Sequence, residues 1–537
     1  MKNSTNILSG PPLSKNWRYK SAAEFFLELI PKYGTAIAMI SVETGEELTY
    51  NQILENSLKL ALSLKKLGLK VNDRIGICSE NNLNFGIAFL SSIFLGTTIC
   101  PLSPSYTEME LIHTMMISKP KYIFVSISCL PIMRKVVMDL PWFPKLILLY
   151  PKASDTDIPN LPDLISKLSD SELRNFKLPE IDKEDHVLLI ACSSGTTGLP
   201  KGVMLSDKNI LIRIQISAED PASFLKSCKI ILGILPMHHT YGICSLLTVL
   251  AEGRKLIVLS KFEERVFLET VEKYRIEILL LVPSVLVFLA KSPIVNEYDL
   301  SCVKKIISGA APLSKEIEEI VTKKMKLRAI HSGYGLTEST GILIGSPENH
   351  KVNSVGILVP GVQAKVVSLD EKLKEPLGPN MEGELCFKGK NIMKGYCGDE
   401  KATKAIIKDG FLHTGDVGYY DEDGYFFIID RVKELIKYKG FQVPPAELES
   451  ILLSHNKIGD AAVVGLPDET AGELPLAFVV KLPGVEIRAE EVIEYVNERV
   501  SPQKRLRGGV RFINAIPKNP SGKILRKDLR SLLKSKF

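Results

Sequence analysis

The chain is 537 residues long, 45% hydrophobic and 24% charged. That is ordinary folded-protein usage, with room for roughly three to four structural units, and it excludes a disordered segment, a binding peptide or a disulfide miniprotein. Its 68 Lys and Arg against 62 Asp and Glu leave +6, too little at this size to imply nucleic acid or an anionic membrane as a partner.

Early in the chain, Thr49 and Gln52 make a capping box, Ile53, Leu54, Leu58, Ala61 and Leu62 form one face of the helix that follows, and Gly68 suits the position just past its end. Short apolar runs at 74–79, 121–126, 229–235, 255–260, 276–282 and 303–309 then alternate with amphipathic stretches. Such alternation predicts βαβ units and largely parallel sheets. After Gly356, runs at 364–368, 383–389 and 424–429 with the turn Asp421-Glu-Asp-Gly424 predict a small antiparallel β region. Helices over 445–453 and 489–500, around strands at 461–465 and 476–481, predict a separate α+β unit. The expected fold is α/β: a large N-terminal domain, 1–430, of βαβ-type sheets plus the antiparallel region, and a smaller α+β C-terminal domain, 431–537, with the boundary at 430–433. The apolar runs 85–102 and 276–290 are short or interrupted, so no membrane span is expected. Nine irregularly spaced cysteines without a CxxC read as reduced thiols in a non-secretory compartment, with no zinc framework.

Chemistry concentrates first in Ser193-Ser-Gly-Thr-Thr-Gly-Leu-Pro-Lys-Gly202, directly after the apolar run 186–191. Two glycines let backbone N–H groups close around an anion, hydroxyls donate, and Lys201 adds charge, which together make a phosphate cradle. It is not a Walker loop, because GxxxxGK[ST] is absent and a strand, not a helix, follows. Adjacent His238 and His239 follow the run 229–235. Neighbours in an extended segment point opposite ways and no third ligand is evident, so zinc is not expected there.

The Ser193 segment resembles the phosphate-binding signature of the adenylate-forming superfamily of acyl-CoA synthetases, 4-coumarate-CoA ligases, beetle luciferases and nonribosomal peptide adenylation domains. Further segments match in the same order: Ser308-Gly-Ala-Ala-Pro-Leu313, Gly333-Tyr-Gly-Leu-Thr-Glu338, His413-Thr-Gly-Asp416, the stretch Asp430-Arg-Val-Lys-Glu-Leu-Ile-Lys-Tyr-Lys-Gly-Phe-Gln-Val443, and Pro517-Lys-Asn-Pro-Ser-Gly-Lys523. By resemblance, ATP is bound by Ser193, Ser194, Gly195, Thr196, Thr197, Gly198, Lys201, Gly309, Ala310, Ala311, Tyr334, Gly335, Thr337, Asp416, Arg431 and Lys523. Glu338 and Thr197 are implied to hold Mg²⁺, a hard cation suited to carboxylate and phosphate oxygens. Lys523 is implied to stabilise charge during adenylation and Lys437 to act in the second half-reaction, where Lys439, Gly440 and Gln442 join it in binding CoA. Lys433 takes the hinge position of a mobile C-terminal domain. The acyl pocket is implied to comprise His239, which is also counted as catalytic, with Thr240, Tyr241, Gly333, Gly341 and Ile342.

The resemblance implies an ATP-dependent acyl-CoA synthetase that activates a fatty acid or a 4-coumarate-like aryl acid through an acyl-adenylate. The alternative is a luciferase-type monooxygenase acting on luciferin. Thr240 stands where amino-acid-activating relatives usually carry Asp, which points to an acid without an α-amino group. Gly341-Ile342 stands where luciferases typically place Ser-Ala, and His331-Ser332 departs from the Gln that relatives often have before the glycine. Residues 431–537 carry 19 Lys and Arg against 13 Asp and Glu, so the whole positive excess lies on the smaller domain, where ATP and CoA phosphates would meet it. The terminal Ser535-Lys536-Phe537 is one residue from a peroxisomal address, so binding to the import receptor and a peroxisomal location are expected, with the cytoplasm as the alternative.

Overall fold

The computed structural model describes all residues except 1–5, 15–16, 152–156, 194–199, 220–227, 350, 371–372, 374, 440, 520–521 and 535–537. The expected alternation produces two large, mostly parallel sheets. One has seven strands in the order Gly395–Tyr396, Lys201–Ser206, Val187–Ser193, Thr98–Leu102, Arg74–Cys78, Tyr122–Val125 and Lys145–Leu148. The other has nine, with Lys255–Val258, Ile230–Gly233, Ile278–Leu281, Lys305–Ser308 and His331–Tyr334 running in parallel at its centre.

The helix Tyr50–Lys66 starts at the anticipated capping box of Thr49 and Gln52. Its buried face differs from the expected one: Leu60 and Leu64 are fully buried, while Leu54 and Leu62 are only partly covered. The helix is packed on more than one side, against the helices Leu83–Leu95 and Leu161–Ser166, and Ser63 Oγ donates to the Leu164 carbonyl at 2.6 Å. A single-stripe reading assumes one buried face. Leu83–Leu95 is buried at every position, which accounts for its mostly apolar sequence, and the buried Ser91 and Ser92 hydroxyls donate to the Ala88 carbonyl. No helix among the described residues is long and apolar enough to cross a membrane.

A third sheet is antiparallel and is built on Val362–Val367, Gly383–Gly389, Phe411–Tyr420 and Phe426–Arg431. Phe411–Tyr420 was missed as a strand because its middle is His413-Thr-Gly-Asp416. Those polar side chains serve a site, and they interrupt the alternation that marks a half-buried strand. Arg431 ends the last strand of this sheet, and Ile436 begins a separate five-stranded sheet covered by the helices Pro445–Ser454, Ala489–Asn497 and Arg526–Lys534. Lys433 lies exposed between the two sheets.

Candidate active site

In sheets of this kind a cleft forms beyond the carboxyl ends of the parallel strands. Here the ends of Ile230–Gly233, Ile278–Leu281, Lys305–Ser308 and His331–Tyr334, with the hairpin of Val187–Ser193 and Lys201–Ser206, surround a cavity of about 440 Å³. Residues expected from the sequence that line it are Ser193, Lys201, His239, Thr240, Tyr241, Gly309, Ala310, Gly333, Gly335, Thr337, Glu338, Gly341, Ile342, Arg431, Lys433 and Lys523.

Three groups of contacts shape the charged end. Lys201 Nζ lies 4.8 Å from the ring centroid of Tyr396, whose hydroxyl donates to Glu338 Oε1 at 2.9 Å. Thr337 and Glu338 sit on one 3₁₀ turn, Thr337–Ser339, whose shape requires Gly335: a Cβ there would lie 2.2 Å from the Gly341 carbonyl oxygen. Asp416 and Arg431 are cross-strand partners. Arg431 Nε lies 2.9 Å from Asp416 Oδ1, and Tyr334 OH donates to Asp416 Oδ2 at 2.6 Å. Burial and the neighbouring Asp416 carboxylate hold the Tyr334 phenol well above its usual range.

Lys523 enters this end from the C-terminal sheet's side of the molecule. Its backbone N–H donates to Asn519 Oδ1 at 2.9 Å, and Asn519 N–H returns a bond to the Lys523 carbonyl at 2.9 Å, so the side chain projects from a tight turn. Gly522 sits against the other domain, where an added Cβ would lie 3.1 Å from Val282 Cγ2. Burial pulls the Lys523 ammonium down to about 8, helped by Arg431 and opposed by Asp416 and Glu434.

The other end of the cavity runs along the helix Thr240–Glu252. His239 caps it, its Nδ1 accepting from the Tyr241 N–H at 3.3 Å. Burial brings His239 down to about 4, so at neutral pH the imidazole is uncharged, and with Nδ1 accepting, the proton lies on Nε2. The Tyr241 ring packs where a Cβ on Gly309 would stand 3.2 Å away, so that glycine makes room for the tyrosine as well as for a ligand. Thr240 Oγ1, Tyr241 OH and Arg213 Nε are buried without a hydrogen-bond partner among the described residues.

Some expected residues stand elsewhere. Ala311, Tyr334 and Asp416 are not among the lining residues; Tyr334 and Asp416 act on Arg431 and on each other. Lys437, Lys439 and Gln442 are exposed and away from the cavity. Ser194, Gly195, Thr196, Thr197, Gly198, Gly440 and the tail Ser535-Lys536-Phe537 lie outside the described residues. Sequence reasoning gave no place in the site to Tyr396, Thr248, Glu252 or Arg254, which lie in unremarkable contexts. It also did not foresee that Glu384, Cys386 and His413 come together on adjacent strands: His413 Nδ1 is 2.8 Å from Glu384 Oε2 and 3.3 Å from Cys386 Sγ. Glu384 Oε1 also accepts from the Gly415 N–H at 2.9 Å, so the trio fixes the turn that presents Asp416. Burial and the Glu384 charge push the Cys386 thiol up.

Two sequence profiles cover most of the chain, that of the AMP-binding enzyme over residues 28–397 and that of the AMP-binding enzyme C-terminal domain over residues 447–523. The chain belongs to the AMP-binding enzyme family. Within it, the sequence is 43% identical to a luciferin 4-monooxygenase of Photuris pensylvanica over 98% of both chains. It is 38% identical to a probable 4-coumarate–CoA ligase of Dictyostelium discoideum over 95% of both. The fold matches ATP-bound MatB of Rhodopseudomonas palustris with a TM-score of 0.83 at 26% identity, covering 95% of this chain and 99% of the other. Family membership makes the chain an adenylate-forming enzyme, of a family that uses ATP.

Proposed function

We propose that the protein is an AMP-forming acyl-CoA synthetase. The observation that supports this most is the meeting of Lys523, from the C-terminal domain, with Lys201, Thr337, Glu338 and His239 in one cavity. A carboxylate oxygen attacks the α-phosphorus of ATP, the bond to the β-phosphate oxygen breaks, and pyrophosphate leaves. The acyl-adenylate carbonyl is then attacked by the CoA thiolate and AMP departs. The enzyme needs no nucleophile of its own, because the leaving group does the activating.

Lys523 places positive charge beside the carboxylate and α-phosphate, Thr337 donates to the phosphate, and Arg431, held by Asp416, faces the ribose. Glu338 fits a Mg²⁺ ion: among the described residues its carboxylate accepts from Tyr396 OH through Oε1, leaving hard oxygen capacity toward the phosphates. Bound there, the ion would neutralise phosphate charge. Lys437, Lys439 and Gln442 serve the CoA step only after the C-terminal domain turns. The likeness to the Photuris enzyme supports a second reading, in which luciferin is adenylated and oxidised with emission of light. Ile342 lines the cavity, and its side chain is larger than the Ala that the resemblance to luciferases would place there, which weighs against that reading.

A panel of saturated fatty acids, cinnamates and luciferin, read by acyl-CoA formation and light, decides between them. Acyl-CoA is expected to dominate, and light with luciferin at rates rivalling the best thioester reaction would overturn the choice.

A further inference from the structure

The acid-binding end of the cavity is divided from a second cavity by side chains. The helix Thr240–Glu252 lies along it: His239 stands at the helix start, and Tyr241, Cys244, Ser245, Thr248 and Glu252 all line the cavity. At about 1.5 Å rise per residue, His239 and Thr248 are about 13 Å apart along the helix. An extended chain advances about 1.2 Å per bond, so this span holds roughly eleven bonds.

Beyond it lies a second cavity of about 180 Å³, lined by Trp17, Phe25, Leu29, Ile214 and Ala251. Ser217, Thr248 and Glu252 line both spaces and are therefore the partition between them. Two of the three are held: Arg213 Nη1 donates to Ser217 Oγ at 2.5 Å, and Glu252 is ion-paired with Arg254. Thr248 Oγ1 is buried with no hydrogen-bond partner among the described residues, so no polar contact fixes that side chain in the opening. The far space is walled by apolar side chains, with Trp17 stacked on Phe25 at a centroid distance of 5.5 Å and an interplanar angle of 16°.

We propose that this far chamber is a subsite for the ω-end of an acyl chain and that Thr248 governs entry to it. The inference rests on the acyl-activating reading and names its substrate class: unbranched acids of more than about ten carbons, whose tails pass between Ser217, Thr248 and Glu252 into the apolar chamber. Each methylene buried there is worth about fourfold in affinity.

The test is acid-dependent pyrophosphate exchange by the full-length protein with saturated acids from hexanoate to hexadecanoate. In the unaltered protein kcat/KM should climb past decanoate. Thr248→Trp should lower kcat/KM for hexadecanoate at least tenfold more than for octanoate. Ala251→Leu, which reaches only the far chamber, should act in the same direction on the longest acids alone. Equal losses at every chain length from Thr248→Trp, together with an unchanged length profile in Ala251→Leu, would overturn the subsite. So would activation that stops at decanoate in the unaltered protein. Failure to activate any acid at all would instead sink the synthetase reading, and the subsite with it.

Discussion

Lys523 carries the clearest single-residue consequence. Its ammonium is pulled to about 8 by burial and by Arg431. A lysine so depressed is charged below that pH and neutral above it, so its electrostatic help in adenylation is present at pH 7 and is lost as pH rises through 8. The kcat/KM for ATP in pyrophosphate exchange is therefore expected to fall about tenfold per pH unit above 8. In Lys523→Arg the guanidinium keeps its charge over the same range, so the alkaline limb should flatten even where the absolute rate is lower. An alkaline limb unmoved by that substitution would assign the titration to another group. Tyr396 is a second case. Its hydroxyl bonds Glu338 and its ring faces Lys201, so Tyr396→Phe leaves the cation over the ring but frees the carboxylate. The KM for Mg·ATP should rise a fewfold with little change in the KM for the acid, and equal rises in both would refute the assignment.

At the level of elements, the turns at strand ends explain both what the sequence announced and what it concealed. Ser314 caps the helix Lys315–Lys324, and the strand Lys201–Ser206 follows the phosphate segment as expected. The same grammar fails at Phe411–Tyr420, where four consecutive residues are chosen for the site and not for the sheet. It also fails for residues brought to the cavity from a distance, such as Tyr396 on a two-residue strand paired with Lys201–Ser206. Periodicity reports burial along one element, and it is silent about which elements meet. The turn between Gly335 and Gly341 offers a direct measurement. A methyl group on Gly335 would lie 2.2 Å from a backbone oxygen that no rotamer change can move. Gly335→Ala is therefore expected to cost about 1–3 kcal/mol by forced backbone shift, and to abolish nucleotide binding by displacing Thr337 and Glu338. Thermal unfolding and nucleotide titration check both, and a variant with unchanged ATP affinity would show that the turn tolerates the shift.

For the whole molecule, the question is what holds the C-terminal domain where Lys523 reaches the cavity while Lys437 does not. Lys291, at the end of the helix Pro283–Lys291, crosses between the domains: its Nζ donates to the carbonyls of Leu453 at 2.8 Å, His455 at 3.3 Å and Ile458. These carbonyls stand at and just beyond the C-terminal end of the helix Pro445–Ser454, where the helix dipole favours a cation. Burial lowers this ammonium to about 8 as well, so the tie weakens in alkali together with Lys523. Hydrogen bonds from a charged donor are worth about 1.5–3 kcal/mol, enough to bias two domain orientations by roughly ten- to a hundredfold. Lys291→Met keeps the aliphatic stem and removes the donors. It is expected to slow pyrophosphate exchange about tenfold while leaving thioester formation from a presynthesised acyl-adenylate equal or faster, because the domain leaves this orientation more readily. A structural injury would depress both half-reactions together. A loss confined to the thioester step would mean that Lys291 stabilises the other orientation, and the direction of the domain bias would have to be reversed.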